Sequence, residues 1–164
     1  MDSVRQEFRD AMARLGAAVP IVTSDGPAGP AGFTASAVCS VTDDPPTLLV
    51  CMNRSSSLNP IIKANGVFCV NVLSARQTAL SRAFASSRGV PMTERFAQPG
   101  WDRLATGSPA SLGAVASVDC AIEEVLEKGT HSVLFGAVKA IRLNPPEDVL
   151  IWWARDYRVL SGAA

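Results

Sequence analysis

Apolar positions fall in two rhythms along this chain. Near the start, Phe8, Met12 and Leu15 lie three and four residues apart, and Gly16 ends the run. That period predicts an amphipathic helix over residues 4–15, with Ser3 and Gln6 at capping-box spacing ahead of it. From residue 18 the rhythm shortens to that of strands. "AVPIVTS" (18–24), "AGFTASAVCSV" (31–41), "TLLVCMN" (47–53) and "VFCVNVL" (67–73) are the first four. "DGPAGPAG" (25–32) reads as a hairpin connection: its glycines miss the GxGxxG spacing, prolines interrupt them and no helix follows. "RSSSLNPIIKANG" predicts a short helix at about 56–65, with Pro60 in its first turn and Gly66 at its end.

Ser74 and Gln77 again have capping-box spacing, ahead of Leu80 and Phe84 on one helical face. Residues 86–111 are rich in Ser, Gly and Pro and read as a long irregular connection anchored by Phe96, Trp101 and Leu104. Connections of that length are commonly functional or lid-like. From residue 114 a long two-strand pattern begins. Val118, Cys120 and Ile122 alternate with Asp119, Ala121 and Glu123, "EKGT" makes a turn, and "HSVLFGAVKAIRL" returns. "VLIWW" (149–153) and "YRVL" (157–160) complete the pattern. Six or seven strands, two or three short helices and no regular β-α-β alternation predict a mainly β fold. We expect an antiparallel barrel with flanking helices, as one domain over residues 1–164.

Composition adds an expectation about assembly. The chain is 48% hydrophobic and only 18% charged, against roughly 25% charged in average soluble domains. So few charges imply a second buried surface, most simply a homodimer interface, with a compact monomer of mildly apolar surface as the alternative. Basic and acidic residues balance at fifteen each with no basic stripe, which argues against nucleic acid as a partner. The charged start "MDSVRQEFRD" lacks the apolar core of a signal peptide, and the longest apolar runs are too short to span a bilayer. A cytoplasmic location without membrane partners is expected. The four cysteines, Cys39, Cys51, Cys69 and Cys120, each sit in an apolar strand-like run and form no CxxC pair. They read as reduced, buried small hydrophobes. With one histidine and no ligand cluster, no metal site is expected.

Three stretches carry candidate chemistry. In "CMNRSSSLNP" (51–60) a strand gives way to a helix, so Arg54, Ser55, Ser56 and Ser57 gather near a helix N-terminus. Such an arrangement suits a phosphate monoester, and equally a simple cap with solvated serines. Thr34-Ala35-Ser36-Ala37 is unusually small for a strand interior. Either another element packs closely there, or a flat ligand lies along the backbone. His131 follows the turn residues Gly129 and Thr130, where its ring can reach a pocket mouth or serve structure alone. Tyr157 and Arg158 follow the pair Trp152-Trp153; dimer packing and a surface charge explain them as well as a site does. No nucleophile arrangement is visible, so any chemistry would come from a bound cofactor.

Taken together, "GFTASAVCSVTDDPPTLLVCMNRSSS", "FCVNVLSARQTALSRAFA", "ERFA", "GTHSVLFGAV" and "WWARDYRVL" occur in an order that resembles the short-chain flavin reductases. These are small NAD(P)H:flavin oxidoreductases that feed two-component monooxygenases. The likeness spans residues 5–160, and "FRDAM", "LGAAV", "DGPAG" and "PPTLLVC" resemble the branch that reduces FMN for pyrimidine utilisation. The resemblance implies a split antiparallel β-barrel of Greek-key, FMN-binding type, assembled as a homodimer. It implies hydride transfer from NADH or NADPH to FMN or FAD, with reduced flavin diffusing to an oxygenase component. A flavin-binding carrier or sensor without NAD(P)H turnover is the alternative. The resemblance places Thr34, Ala35, Ser36 and Ala37 along the flavin, and Asn53, Arg54, Ser55, Ser56 and Ser57 at its ribityl-phosphate end. His131 falls next to the nicotinamide and flavin rings as the catalytic residue, with Tyr157 and Arg158 near the same pocket. Two positions depart from the common pattern. Thr130 stands where many members carry an acid able to orient the histidine or a cofactor, and Ala137 removes a second acid.

Overall fold

Strands dominate the computed structural model, which describes residues 2–85, 90–97 and 100–162. The first half contains α1 (Asp2–Met12), β1 (Ala17–Ala18), β2 (Pro20–Ser24), β3 (Ala31–Thr34), β4 (Val38–Asp43), β5 (Pro46–Asn53), α2 (Asn59–Asn65) and β6 (Val67–Leu73). A 3-10 turn at Ala75–Gln77 leads into α3 (Thr78–Ala85), followed by α4 (Met92–Ala97), β7 (Trp101–Arg103) and β8 (Pro109–Ser111). The long hairpin β9 (Ala114–Lys128) and β10 (His131–Leu143) comes next, then β11 (Val149–Trp153) and β12 (Asp156–Leu160).

Seven strands form one antiparallel sheet in the order β3-β2-β6-β9-β10-β5-β4. Laid flat at ~4.8 Å per strand, its edges would stand about 29 Å apart. Yet the edge strands β3 and β4 are joined only by residues 35–37, a link that reaches at most about 14 Å. The sheet must therefore roll until its edges meet. Ala35 N–H bonds Pro20 O on the β2 side (3.0 Å), and Ala37 O accepts from Cys51 N–H on the β5 side (2.9 Å). Among the described residues no ladder joins β3 to β4, so the barrel is split along this seam. The chain leaves β5 through α2 and enters β6 on the far side of the β9–β10 hairpin, a Greek-key return.

The core explains which residues had to be small. Val22, Val50, Met52, Ile62, Phe68 and Leu134 fill the barrel. Gly136 admits Phe68 to that core: a Cβ there would sit 2.4 Å from the Phe68 ring and 2.8 Å from Cys120 Cβ. A second cluster of Val19, Ile21, Leu73, Phe84 and Leu150 lies under the small sheet β1-β11-β12. Gly32 is its close-approach residue, since a Cβ there would stand 2.6 Å from the Phe84 ring.

Several sequence expectations change. Residues 31–41 are not one buried strand but two edge strands broken at the seam, and β4 is largely exposed. Ser3 lies inside α1, and the Gln6 amide reaches Asp10 (3.1 Å) instead of closing a capping box. The Ser74–Gln77 box does form, with Gln77 Oε1 accepting from Ser74 N–H at 3.2 Å, and it opens a 3-10 turn before α3. The stretch 86–111 is more regular than its composition suggests: it holds α4, β7 and β8, with 86–89 and 98–99 outside the described residues. Phe96 and Trp101 are anchors as expected, their rings 5.0 Å apart at the centroids and both packed on Phe84. Among the cysteines, Cys69 and Cys120 are buried as expected, but Cys39 is exposed and Cys51 half-buried; all four are free. Burial pushes the Cys120 thiol up to about 12 and raises Cys69 further still.

Candidate active site

The seam is where the fold leaves room. Thr34, Ala35 and Ser36 border two clefts at once. One, of about 330 Å³, is bounded by Ala35, Ser36, Ala37, Asn53, Ser56 and His131. The other, of about 220 Å³, lies on the opposite side of the strip, against Val19, Ala85, Trp152 and Tyr157. The small residues are thus not packed under another element, and Ser36 and Ala37 are exposed. Thr34 behaves differently from its neighbours. Its hydroxyl donates to Ser81 O at 2.6 Å, so its proton is spent on α3 and not free for a ligand. Ala35 N–H is likewise spent on Pro20 O. The N–H groups of Ser36 and Ala37 bond to no other described residue, which leaves them as donors at the cleft wall.

The opposite wall comes from the end of β5 and the start of β10. His131 pairs with Asn53 across the ladder, which fixes both at one rim of the barrel. The Thr130 hydroxyl lies 2.9 Å from His131 Nδ1. The serine run does not open a helix. Asn53 Oδ1 accepts from both Ser55 N–H (2.9 Å) and Ser55 Oγ (2.8 Å), and Ser56 Oγ accepts from Leu58 N–H (3.3 Å). Residues 54–58 form a turn, and α2 begins only at Asn59, because Pro60 restricts the helix start to its own first turn. Ser56 borders the cleft, whereas Ser55 and Ser57 are exposed beyond it.

Arg54 faces away from the seam. Its guanidinium pairs with Glu127 (Nε–Oε2 3.0 Å) and donates to Gly129 O (3.3 Å), while its N–H bonds Thr130 O (2.9 Å). Lys63 and the Ser132 hydroxyl reach the same carboxylate. The Lys63 hydrogen bond, then Ser132 and the Arg54 charge, hold Glu127 below the usual glutamate range. The cluster pins the β9–β10 turn to the end of β5.

The C-terminal pair splits. Tyr157 enters the smaller cleft, where its hydroxyl meets Ser81 Oγ (2.9 Å) and its ring packs edge-on against Trp152 (5.1 Å). Arg158 points to the other face of β12, as alternation requires, where it pairs with Asp156 and covers Trp153. It therefore stands apart from the cleft that Tyr157 lines. Sequence reasoning missed Trp152, Cys51 and Glu127. Alternation in "TLLVCMN", with Leu48, Val50 and Met52 inward, already put Cys51 on the opposite face; nothing local linked Glu127 to Arg54, 73 positions away.

A wall of small side chains, two free N–H donors, and a histidine, an asparagine and a serine opposite suit a flat, carbonyl-edged ring system. The volume reaches the range of small-molecule pockets. Flavin fits that description. Fold and site together define a split-barrel, flavin-type binding domain.

Comparison with known proteins agrees. The flavin reductase like domain family matches residues 12–161. The chain is 57% identical over 159 residues to the FMN reductase (NADH) RutF of Cronobacter turicensis, covering 97% of this chain and 95% of that protein. It is 51% identical over 160 residues to the protein of the same name from Stutzerimonas stutzeri, covering 98% and 91%. Among solved structures it resembles BorF, the flavin reductase component of a bacterial two-component tryptophan halogenase (TM-score 0.89, 30% identity, 96% and 98% covered). It also resembles the NADH:FAD oxidoreductase SgcE6 of Streptomyces globisporus in complex with NAD and FAD fragments (TM-score 0.88, 27% identity, 98% and 95% covered). The chain belongs to the flavin reductase-like family.

Proposed function

We propose that this protein is an NADH-dependent FMN reductase whose reaction takes place in the seam cleft between residues 34–37 and His131. The observation that carries this reading is the juxtaposition itself: a wall without side-chain bulk faces His131 and Asn53 across the larger cleft. The bound flavin supplies the chemistry, accepting hydride from reduced nicotinamide. The chain's residues bind and orient. Ala35 and Ala37 keep the wall flat, the N–H groups of Ser36 and Ala37 favour negative charge at a ring edge, and His131 positions the nicotinamide. Ser55, Ser56 and Ser57 serve the ribityl-phosphate end. Arg54, paired with Glu127 and bonded to Gly129 O, serves it by holding the turn beside that end. Tyr157 shapes the second cleft, and Arg158 supports the hairpin that carries it. The open cleft suits release of reduced flavin to a separate oxygenase, and the likeness to the pyrimidine-utilisation branch points to a pyrimidine-ring oxygenase.

The test is loss of NADH absorbance with and without added FMN. Flavin-dependent oxidation is the expected result; flavin binding without oxidation of NADH or NADPH would replace this reading with a flavin carrier.

The protein acts as a homodimer in this proposal. Trp153 Nε1 donates to Arg14 O (3.2 Å) and Ala154 N–H to Ala13 O (2.7 Å), which clamps the C-terminal end of α1 to the β11–β12 hairpin. The apolar stripe of the helix and of the turn after it stays uncovered, with Phe8 63% and Leu15 66% exposed. A second copy is the simplest cover, and light scattering should give twice the chain mass, reduced to one by Phe8→Glu. Among the described residues, no helix is long and apolar enough to cross a membrane.

A further inference from the structure

We propose that Thr130 is a positioning residue that fixes which nitrogen of His131 carries the ring proton. Lys128 and His131 pair directly, so Gly129 and Thr130 form a two-residue hairpin turn. Gly129 has φ +56°, the positive value required at the first central position of a type II′ turn. The turn cannot drift: Arg54 N–H holds Thr130 O at 2.9 Å, and the Arg54 side chain reaches both Gly129 O and Glu127. On this clamped turn Thr130 Oγ1 lies 2.9 Å from His131 Nδ1.

In this proposal the Thr130 hydroxyl is the donor of that hydrogen bond. Among the described residues, Thr130 Oγ1 has no contact at bonding distance other than Nδ1, and Nδ1 has none other than Oγ1. With the hydroxyl as donor, Nδ1 stays unprotonated and the ring proton sits on Nε2. His131 then offers the cleft an N–H donor, suited to a carbonyl or carboxamide oxygen on the bound rings. A carboxylate at position 130 would do the reverse. It accepts from Nδ1–H and leaves Nε2 with a lone pair, or holds the ring doubly protonated. The residue at 130 thereby sets whether His131 donates or accepts toward the ligand. This role rests on the reductase reading for its consequence in turnover, but not for the hydrogen bond itself.

His131 is the only histidine in the chain, so long-range proton–nitrogen spectra of uniformly 15N-labelled protein report its ring without assignment. The measurement is made at alkaline pH, where an imidazole is neutral. Wild type should give a protonated-type signal at Nε2 and a hydrogen-bonded, unprotonated signal at Nδ1. Thr130→Val should move the Nδ1 signal to its unbonded position, Thr130→Ser should restore it, and Thr130→Asp should transfer the proton to Nδ1 or charge the ring. In NADH oxidation, Thr130→Val should lower kcat on the order of fivefold, the worth of one hydrogen bond. Thr130→Ser should recover it, with FMN affinity unchanged throughout. An Nδ1 signal identical in wild type and Thr130→Val, or a wild-type ring protonated at Nδ1, overturns the proposal. So does a shifted Nδ1 signal with unchanged kcat. The spectra need no NADH, so an inactive protein with the expected spectra would refute the reductase reading and leave the hydrogen bond standing.

Discussion

The two walls of the cleft are built on opposite principles. At the seam, Ala35, Ser36 and Ala37 carry almost no side chain and Ser36 and Ala37 keep their N–H groups unspent. At the β9–β10 turn, Arg54, Lys63, Ser132 and Glu127 form a tight polar cluster, and nearly every group around Thr130 and His131 has a protein partner. One wall provides space; the other provides a fixed donor. A pocket for a ring that must enter, react and leave needs both, because bulk on the first wall excludes the ligand and slack on the second misplaces the reacting ring.

That contrast can be broken from either side. Filling the open wall should have the largest effect. Ala35→Leu should fold normally yet weaken FMN binding on the order of tenfold or more, since overpacking costs about 1–3 kcal/mol; fluorescence titration reads it, and unchanged affinity would place the ring elsewhere. Removing the donor of the fixed wall comes next. His131→Ala should lower NADH turnover on the order of tenfold while leaving FMN affinity nearly intact, and an equal loss of both would make the histidine a flavin ligand. Thr34 tests the anchor behind the open wall. Thr34→Val removes its bond to Ser81 O, which should cost about 1 kcal/mol and lower Tm by roughly 2–4 °C in a thermal melt.

The smallest effect concerns the charge cluster. Glu127 titrates below its usual value of 4.5, chiefly through the Lys63 hydrogen bond. A carboxylate depressed in the folded state lends stability above its unfolded value and withdraws it as pH falls through the folded one. The clamp is therefore complete at neutral pH, and a Glu127→Gln variant should match wild type only in acid below that range. Wild-type and variant melts that coincide at pH 7 as well would show that the cluster contributes nothing.

The fold was legible where periodicity is long. "VASVDCAIEEVLEK" and "HSVLFGAVKAIRL" declared the central hairpin, and the Ser74–Gln77 box appeared where its spacing put it. The seam was half legible: the oddness of "TASA" is local, but its cause is that the two sheet edges close there, a fact that involves β2 and β5 together. Side-chain commitments were not legible. Nothing in sequence says that Thr34 spends its hydroxyl on Ser81, that Arg54 turns to Glu127, or that Tyr157 meets Ser81. Those depend on tertiary neighbours 47 or more positions apart, whereas Thr130, adjacent to His131, was visible as a departure before its hydrogen bond was.

Because the seam joins the first and last strands of a seven-stranded sheet, the cleft is a property of the whole chain rather than of any segment. β3 is held through β2, β6 and β9, and β4 through β5 and β10, so the two sides of the seam are fixed by opposite halves of the sheet. Ligand capture is thus coupled to cooperative folding as a unit. Flavin at a hundred times its Kd should raise global stability by about 2.7 kcal/mol, and a chain able to hold it has, by that fact, finished folding.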